Sequence, residues 1–250
     1  MSKEVKITKN STNDTYQIKF RNNARILFQS LFESKLLQPH TCTITDEYQS
    51  LIIKTKSMMN YNDFLMDQYK YHTPEQFEFK KYEFAIKMAN DLLKQLKSLL
   101  NNKYTFYTFS LEELFVIDNN KFIYLNIQHL LPINKDNNPN QTITLSVPFL
   151  KESPSVFLSP EIMELNELPF SMSYKTIYYS LGSLIIYFLF DKHISFYKYN
   201  KDHTNNKDNK YNEDTDEKIK EILRPIKETK LYWFLMRITK KNPDERWIYF

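Results

Sequence analysis

The side chains that most often carry out nucleophilic or proton-transfer chemistry are scattered along this chain of 250 residues. Its single cysteine, Cys42, lies in no local nucleophile motif, and no serine occupies a G-x-S-x-G turn. No group of cysteines and histidines has the spacing of a zinc site, so no metal is expected. The five histidines are therefore predicted to be isolated, either solvated or at the edge of the core: His40, His72, His129, His193 and His203.

Glycine is almost missing from the sequence, and Gly182 is the only one. Loops that cradle phosphate groups use several glycines, because the backbone N–H groups must approach the phosphates closely. The chain therefore has neither a Walker A loop nor a dinucleotide-binding fingerprint. The shortage of glycine accompanies many Asn, Lys, Ile and Tyr residues, a bias that is typical of AT-rich genomes.

The composition is that of a folded protein with an ordinary charged surface. Hydrophobic residues make up 42% of the chain and aromatic residues 16%, which excludes a disordered protein. The net charge is +4, but the lysines are interspersed with acidic residues, so no nucleic-acid partner is expected. One cysteine allows no intrachain disulfide, and the first ten residues contain no apolar signal-peptide core. We therefore predict a cytoplasmic protein that has no contact with a membrane.

The first 55 residues have the pattern of strands around one helix. Alternating runs at residues 5–7 and 16–20, and β-rich runs at 41–45 and 50–55, predict two strand pairs. A helix is predicted for residues 22–37, and its apolar face follows helical spacing through Ala24, Leu27, Phe28 and Leu31.

A long helix is the clearest element in the middle of the chain. Thr73 is placed to cap it and Pro74 to occupy its first position, and the helix is expected to end near Leu100. Its predicted core face consists of Tyr82, Ala85, Ile86, Ala89, Leu93, Leu96 and Leu100. Residues 114–117 and 121–125 then flank an Asp-Asn-Asn turn and predict a hairpin.

The second half is organised around residues 174–190, which are apolar nearly all the way round. This run is shorter than the roughly 20 apolar residues that a bilayer requires, so we predict a central core helix. Residues 197–218 are polar and predicted to be a mobile insertion, and a last amphipathic helix is expected at 230–240. The chain is therefore predicted to be an α+β protein with a helical second half.

Three segments around the central helix resemble motifs of the protein kinases. F-L-S-P-E ends at Glu161, Y-Y-S-L-G ends at Gly182, and N-P-D-E-R ends at Arg246. They are similar to the A-P-E, D-x-W-S-x-G and D-P-x-x-R motifs of the kinase C-terminal lobe. The resemblance implies a two-lobe kinase-like fold, with a reduced N-terminal lobe at residues 1–59 and a mainly helical C-terminal lobe at 60–250.

The positions that carry kinase chemistry do not match this resemblance. The pattern H-R-D-L-K-P-E-N falls on residues 107–114, so the proton-accepting aspartate corresponds to Phe109 and the metal-binding asparagine to Leu114. D-F-G falls on residues 126–128, where Asn126 replaces the metal-binding aspartate. The aspartate that ties the catalytic loop to the central helix corresponds to Ile177, so that tie is expected to be lost. No catalytic residue is therefore assigned.

The structural positions agree better with the kinase pattern. In the family, the residues that correspond to Glu161 and Arg246 form a buried ion pair, and we expect the same pair here in preference to two separate surface charges. Lys19 could be the nucleotide-phosphate lysine, but an outward lysine on an alternating strand is the commoner explanation. Glu33 could be its helix partner, and a surface glutamate is the alternative that we favour.

The resemblance and the missing catalytic groups together predict a pseudokinase that acts as a scaffold or regulator by binding another protein. No cofactor is expected. The first alternative is a divergent active serine/threonine kinase that binds ATP and Mg²⁺ and uses Lys19 and Asn126. The second is a basic nucleic-acid-binding module. The AT-rich bias suggests a large DNA virus or an AT-rich protist as the source, and a viral protein would act in the host cytoplasm.

Overall fold

The structure of the chain, a computed structural model, describes residues 5–10, 14–134, 141–146, 155–194 and 214–249. The helices in these ranges are α1 Arg25–Glu33, α2 Tyr61–Tyr71, α3 Pro74–Asn101, α4 Pro160–Met163, α5 Thr176–Phe190, α6 Asp214–Leu223 and α7 Lys230–Ile238. The strands are β1 Val5–Asn10, β2 Thr15–Phe20, β3 Cys42–Thr45, β4 Ser50–Lys54, β5 Met58–Asn60, β6 Tyr104–Phe106, β7 Phe109–Ser110, β8 Leu114–Ile117, β9 Lys121–Tyr124, β10 Leu130–Pro132, β11 Thr142–Leu145, β12 Val156–Phe157 and β13 Phe170–Ser173.

The first four strands form an antiparallel sheet in the order β1-β2-β4-β3, and both predicted strand pairs are confirmed. Alternation along β2 buries Tyr16, Ile18 and Phe20. The buried face of α1 packs in the same core, where the rings of Phe20 and Phe28 meet edge to face at 5.4 Å. The helix ends at Glu33 instead of residue 37, because the chain turns into the left-handed region shortly after it.

The long helix α3 begins as predicted, and its buried face matches the predicted one only in part, through Ala85, Ala89 and Leu96. Thr73 forms a capping box with Gln76, and Pro74 occupies the first position. The buried face includes Asp91 and Gln95, whose side chains bond to the backbone of β9, whereas Ile86 of the predicted core face is 38% exposed. These hydrogen bonds hold the helix in an orientation that differs from the one that the apolar spacing predicted.

The central helix is confirmed as α5, and nearly all its side chains are buried. It packs against α3 on one side and α7 on the other. Gly182 lies where α5 meets α7, and a Cβ atom there would collide with the methyl group of Thr239 and press on Ile238. The one glycine of the sequence is therefore required for close helix packing and not for backbone conformation.

The predicted polar insertion at 197–218 is partly wrong. Residues 197–213 lie outside the described residues, but residues 214–218 belong to α6. This helix is held by Ile219 and Leu223, which are buried, and by an ion pair of 2.8 Å between Asp216 and Lys240. Residues 216–218 of this helix are polar and at least partly exposed, so composition alone placed them in the preceding insertion.

No helix in the described part of the chain combines the length and the apolar character needed to cross a membrane.

Candidate functional site

The region that corresponds to the kinase catalytic loop, residues 107–114, includes β7. This strand pairs antiparallel with β12 and packs against α5. After β7, a short 3-10 helix at Leu111–Glu113 leads into β8, which pairs with β5 and with β9. The predicted hairpin is therefore confirmed. Its turn places Asp118 and Asn119 in the left-handed region, which these two residue types tolerate.

Phe109 and Leu114 are both part of the hydrophobic core. Phe109 is buried, and its ring meets Tyr124 at 4.8 Å and Phe106 at 5.9 Å, while Leu114 is fully buried. Neither position presents an oxygen or nitrogen atom of its side chain. Both positions therefore contribute packing and cannot accept a proton or hold a metal ion.

A hydroxyl group on α5 ties this segment to the central helix. Ser180 Oγ accepts a hydrogen bond of 2.7 Å from the backbone N–H of Phe109 and lies 3.3 Å from Thr108 Oγ1. Ile177, one turn earlier, is buried and apolar. The expectation that this tie would be lost, because Ile177 replaces the aspartate, is thus wrong. The Ser180 hydroxyl makes the bond instead, since a neutral acceptor is sufficient for the neutral backbone N–H of Phe109. The serine in Y-Y-S-L-G was the available signal.

Asn126 is buried and its side-chain oxygen is already engaged. Oδ1 accepts hydrogen bonds from the backbone N–H groups of Gln128 at 2.8 Å and His129 at 3.1 Å, which forms a local Asx turn. The side chain is also neutral, whereas the kinase position holds a carboxylate. In the described part of the chain, no three His, Cys, Asp or Glu side chains are grouped to hold a metal ion.

His129 follows this turn and is partly buried among aromatic rings. The Tyr124 hydroxyl lies 2.6 Å from His129 Nδ1, and the ring of Tyr107 lies 4.9 Å from the imidazole. Burial disfavours the imidazolium form and lowers the pKa of His129 to about 4. The imidazole is therefore neutral near pH 7 and serves as part of the core. Aromatic rings fill this region, and Phe106, Tyr107 and Phe109 are all buried.

An open cleft of about 440 Å³ separates β1 from the segment around β8. Lys6 is the one cation among its lining residues, and Glu112 and Glu113 supply two carboxylates. Phe115 lines it from β8 and Asn60 from the end of β5. Two carboxylates repel the phosphate groups of a nucleotide, and Lys6 is the one cation that lines the cleft, with Lys19 opposite it on β2 outside the lining. Together with Leu114 and Asn126, these residues do not fit a magnesium nucleotide.

The structure does not bring Lys19 and Glu33 together as an ion pair in the described chain. Lys19 is exposed on the sheet and does not line the cleft. Glu33 accepts hydrogen bonds from Ser98 Oγ at 2.5 Å and from Asn102 Nδ2 at 2.8 Å. The bond from Ser98 is the main cause that lowers the pKa of Glu33. The glutamate therefore ties α1 to α3.

Glu161 and Arg246 form a two-pronged ion pair. Arg246 Nη1 donates to Glu161 Oε1 at 2.6 Å, and Nη2 donates to Oε2 at 2.9 Å. The arginine is fully buried, and it also donates to the backbone carbonyls of Lys240 at 2.6 Å and Lys241 at 2.7 Å. Thr176 Oγ1 donates to Glu161 Oε1 at 2.6 Å. The pair therefore joins α4, the start of α5 and the loop after α7.

Two further residues complete the surroundings of this pair, and the sequence motifs gave no sign of their role. The Tyr179 ring lies 5.1 Å from the guanidinium carbon of Arg246, which is a cation–π distance. Ser159 Oγ lies 2.6 Å from Thr176 Oγ1. Each polar atom around the buried charge therefore has a partner, as burial of an arginine requires.

No protein-family profile and no curated protein sequence matches the chain. Among solved structures, ROP2 from Toxoplasma gondii matches it with a TM-score of 0.50 and 11% sequence identity, over 95% of this chain and 70% of that one. That structure is described as a virulence factor with a protein-kinase fold and no enzymatic activity. At this identity the likeness shows the fold alone. The chain therefore has a mixed α+β fold that matches a protein-kinase fold, and this part of the predicted fold class is confirmed.

Proposed function

We propose that this chain is a catalytically inactive kinase-like domain that works as a scaffold or regulator by binding another protein. The observation that carries the proposal is Phe109. At the position where a kinase needs its proton-accepting aspartate, this chain has a ring packed against Tyr124 and a backbone N–H bonded to Ser180. Phosphoryl transfer depends on a positioned base and on metal ions that neutralise the phosphates.

The domain organisation that we propose follows the kinase pattern. Residues 1–59 form a reduced N-terminal lobe built on the four-stranded sheet and α1, and residues 60–250 form the helical C-terminal lobe. The solved structure that shares the fold is itself described as having no enzymatic activity, which supports but does not carry the proposal. No cofactor, nucleic acid or membrane is part of the proposed function, and the proposed location is the cytoplasm.

One observation favours the alternative of a divergent serine/threonine kinase that binds ATP. The cleft between β1 and β8 is open, and about 440 Å³ is within the range of small-molecule sites. The buried amide of Asn126 opposes this alternative, because it replaces the carboxylate that holds magnesium at this position of a kinase, and without a metal ion Glu112 and Glu113 repel the phosphates.

Thermal unfolding with ATP, in the presence and absence of Mg²⁺ or Mn²⁺, separates the two functions. A ligand that binds only the folded state stabilises it by about 2.7 kcal/mol at 100 times its dissociation constant. We expect no rise of the midpoint at millimolar ATP. A metal-dependent rise, followed by transfer of the labelled γ-phosphate to a peptide, would overturn the proposal. The variant E112Q/E113Q serves as a control, because removal of both charges should make any weak nucleotide binding stronger.

A further inference from the structure

A groove between α3 and α7 remains open on the surface of the helical part of the chain. Its volume is about 450 Å³, and its lining includes Tyr82, Ile86 and Leu93 from α3 together with Lys230, Leu231 and Phe234 from α7. Ile86 is 38% exposed, and Tyr82, Leu93 and Phe234 are only partly buried. Four of the residues that line it from α3 belong to the apolar face that the spacing predicted as core, and Asn90 lines it beside them: the four are Tyr82, Ile86, Ala89 and Leu93. This apolar strip of α3 is therefore only partly covered by α7 in the described chain.

The charges at the edges of this groove are mainly positive. Lys230 lines it and is exposed, and Lys97 is exposed one turn beyond Leu93 on the same face of α3. Arg237 follows Phe234 by one turn of α7. Two exposed acidic residues lie near the groove: Glu83 on α3, at the opposite end from Lys97, and Glu228, next to the lining residue Thr229.

An aromatic cluster extends the same surface beyond Arg237. The guanidinium carbon of Arg237 lies 3.8 Å from the centre of the Trp247 ring, and Tyr249 packs edge to face on Trp247 at 4.3 Å. Tyr249 is 81% exposed. Tryptophan, tyrosine and arginine are the side chains that most often carry the binding energy of protein interfaces.

We propose that the groove between α3 and α7 binds an amphipathic helix of a partner protein that carries acidic residues beside its apolar face. A concave strip between two helices fits a third helix, whose side chains at i, i+3 or i+4 and i+7 reach the groove floor. Acidic residues on that helix complement Lys97, Lys230 and Arg237. The inference rests on the proposed protein-binding function and names where the partner docks and what chemistry it has.

The experiment selects displayed helical peptides of about 16 residues, long enough for four turns, on the purified full chain. Affinities of the selected peptides are then measured by fluorescence polarisation on wild type, I86D and K97E/K230E. We expect apolar residues at helical spacing with an excess of Glu and Asp. We also expect binding to I86D to be weaker by about tenfold or more, and binding to K97E/K230E by about threefold or more.

M66D is the matched control, because Met66 is an exposed apolar residue on α2, away from the groove. Its affinity for the selected peptides should equal that of wild type. The thermal midpoints of I86D and M66D should lie close together, since both substitutions change exposed helix positions. This comparison separates loss of the groove from loss of the fold.

Three outcomes would overturn the proposal. The first is that no peptide binds more tightly than about 100 µM, and the second is that the selected peptides bind I86D and wild type equally. The third is binding to vesicles with one-third phosphatidylserine that I86D abolishes, which would assign the groove to a membrane surface. The proposed function has a separate test in nucleotide binding. If ATP does not bind and the groove binds no helical peptide, the proposed protein-binding function is retained and its binding surface lies elsewhere on the chain.

Discussion

The substitution E161Q tests how strongly the fold depends on the carboxylate that faces the buried arginine. Glutamine keeps the size of the side chain but removes the negative charge opposite Arg246. The guanidinium group then retains the carbonyls of Lys240 and Lys241, which satisfy its N–H groups without neutralising its charge. Removing one partner of a buried ion pair typically costs about 3–5 kcal/mol. Because the Glu161 side chain is 16% exposed and water can reach it, we expect the lower end, about 3 kcal/mol.

Urea unfolding followed by circular dichroism measures this loss. Natural domains are stable by about 5–15 kcal/mol, so the loss is a large fraction of the total. With a urea slope of about 3 kcal/mol per molar, the midpoint should fall by about 1 M. E83Q makes the same chemical change on the exposed side of α3 and should change the free energy of unfolding by no more than about 0.5 kcal/mol.

A double-mutant cycle isolates the pair itself. R246M removes the buried charge, and the double variant E161Q/R246M replaces the ion pair by two neutral side chains. Because an apolar side chain needs no carboxylate, E161Q should cost much less in the R246M background than in wild type. Equal costs in the two backgrounds, or a cost of E161Q as small as that of E83Q, would refute the reasoning. Water or the nearby carbonyls would then be neutralising Arg246 by themselves.

Three further predictions concern the rest of the core. G182A should destabilise the fold by about 1–3 kcal/mol in urea unfolding, because its methyl group meets Thr239 where α5 and α7 touch, and T239S should recover part of the loss. S180A leaves the buried N–H of Phe109 without its acceptor and should cost about 1–3 kcal/mol in the same assay, whereas S180T should cost less. The low pKa of His129 means that the unfolded chain takes up a proton near pH 6.5 while the folded chain takes it up only near pH 4. Stability is therefore lost as the pH falls through this window, by about 3 kcal/mol in total, and H129Q should show a shallower pH dependence of unfolding.

The elements that local sequence specifies were predicted well. The central helix follows from a run of apolar residues too long for a strand, and α3 begins where Thr73 and Pro74 place its first turn. The hairpin of β8 and β9 follows from Asp118 and Asn119, which tolerate the left-handed turn. Each of these signals lies within a few residues of the structure that it determines.

The features that were missed depend on contacts between distant parts of the chain. Hydrogen bonds of Asp91 and Gln95 to β9, about thirty residues away in sequence, set which face of α3 is buried. The spacing of apolar residues cannot predict such bonds. Ser180 bonds to the backbone of Phe109 across a sequence separation of 71 residues, so its role needed the fold to be known. The ion pair of Glu161 and Arg246 could be predicted from the sequence because each residue ends a short recognisable motif, F-L-S-P-E and N-P-D-E-R.

The polar groups that this chain keeps and the kinase groups that it lacks have different physical roles. The bonds of Arg246 hold together elements of the helical core, and the core needs them whether or not any reaction takes place. The positions of Phe109, Leu114 and Asn126 would need charge only to move a proton or hold a metal ion, and here they supply packing and a turn. A buried carboxylate with no such task would cost free energy, because burial penalises an unpaired charge. A fold that retains the first group and replaces the second supports the proposed function of protein binding without phosphoryl transfer.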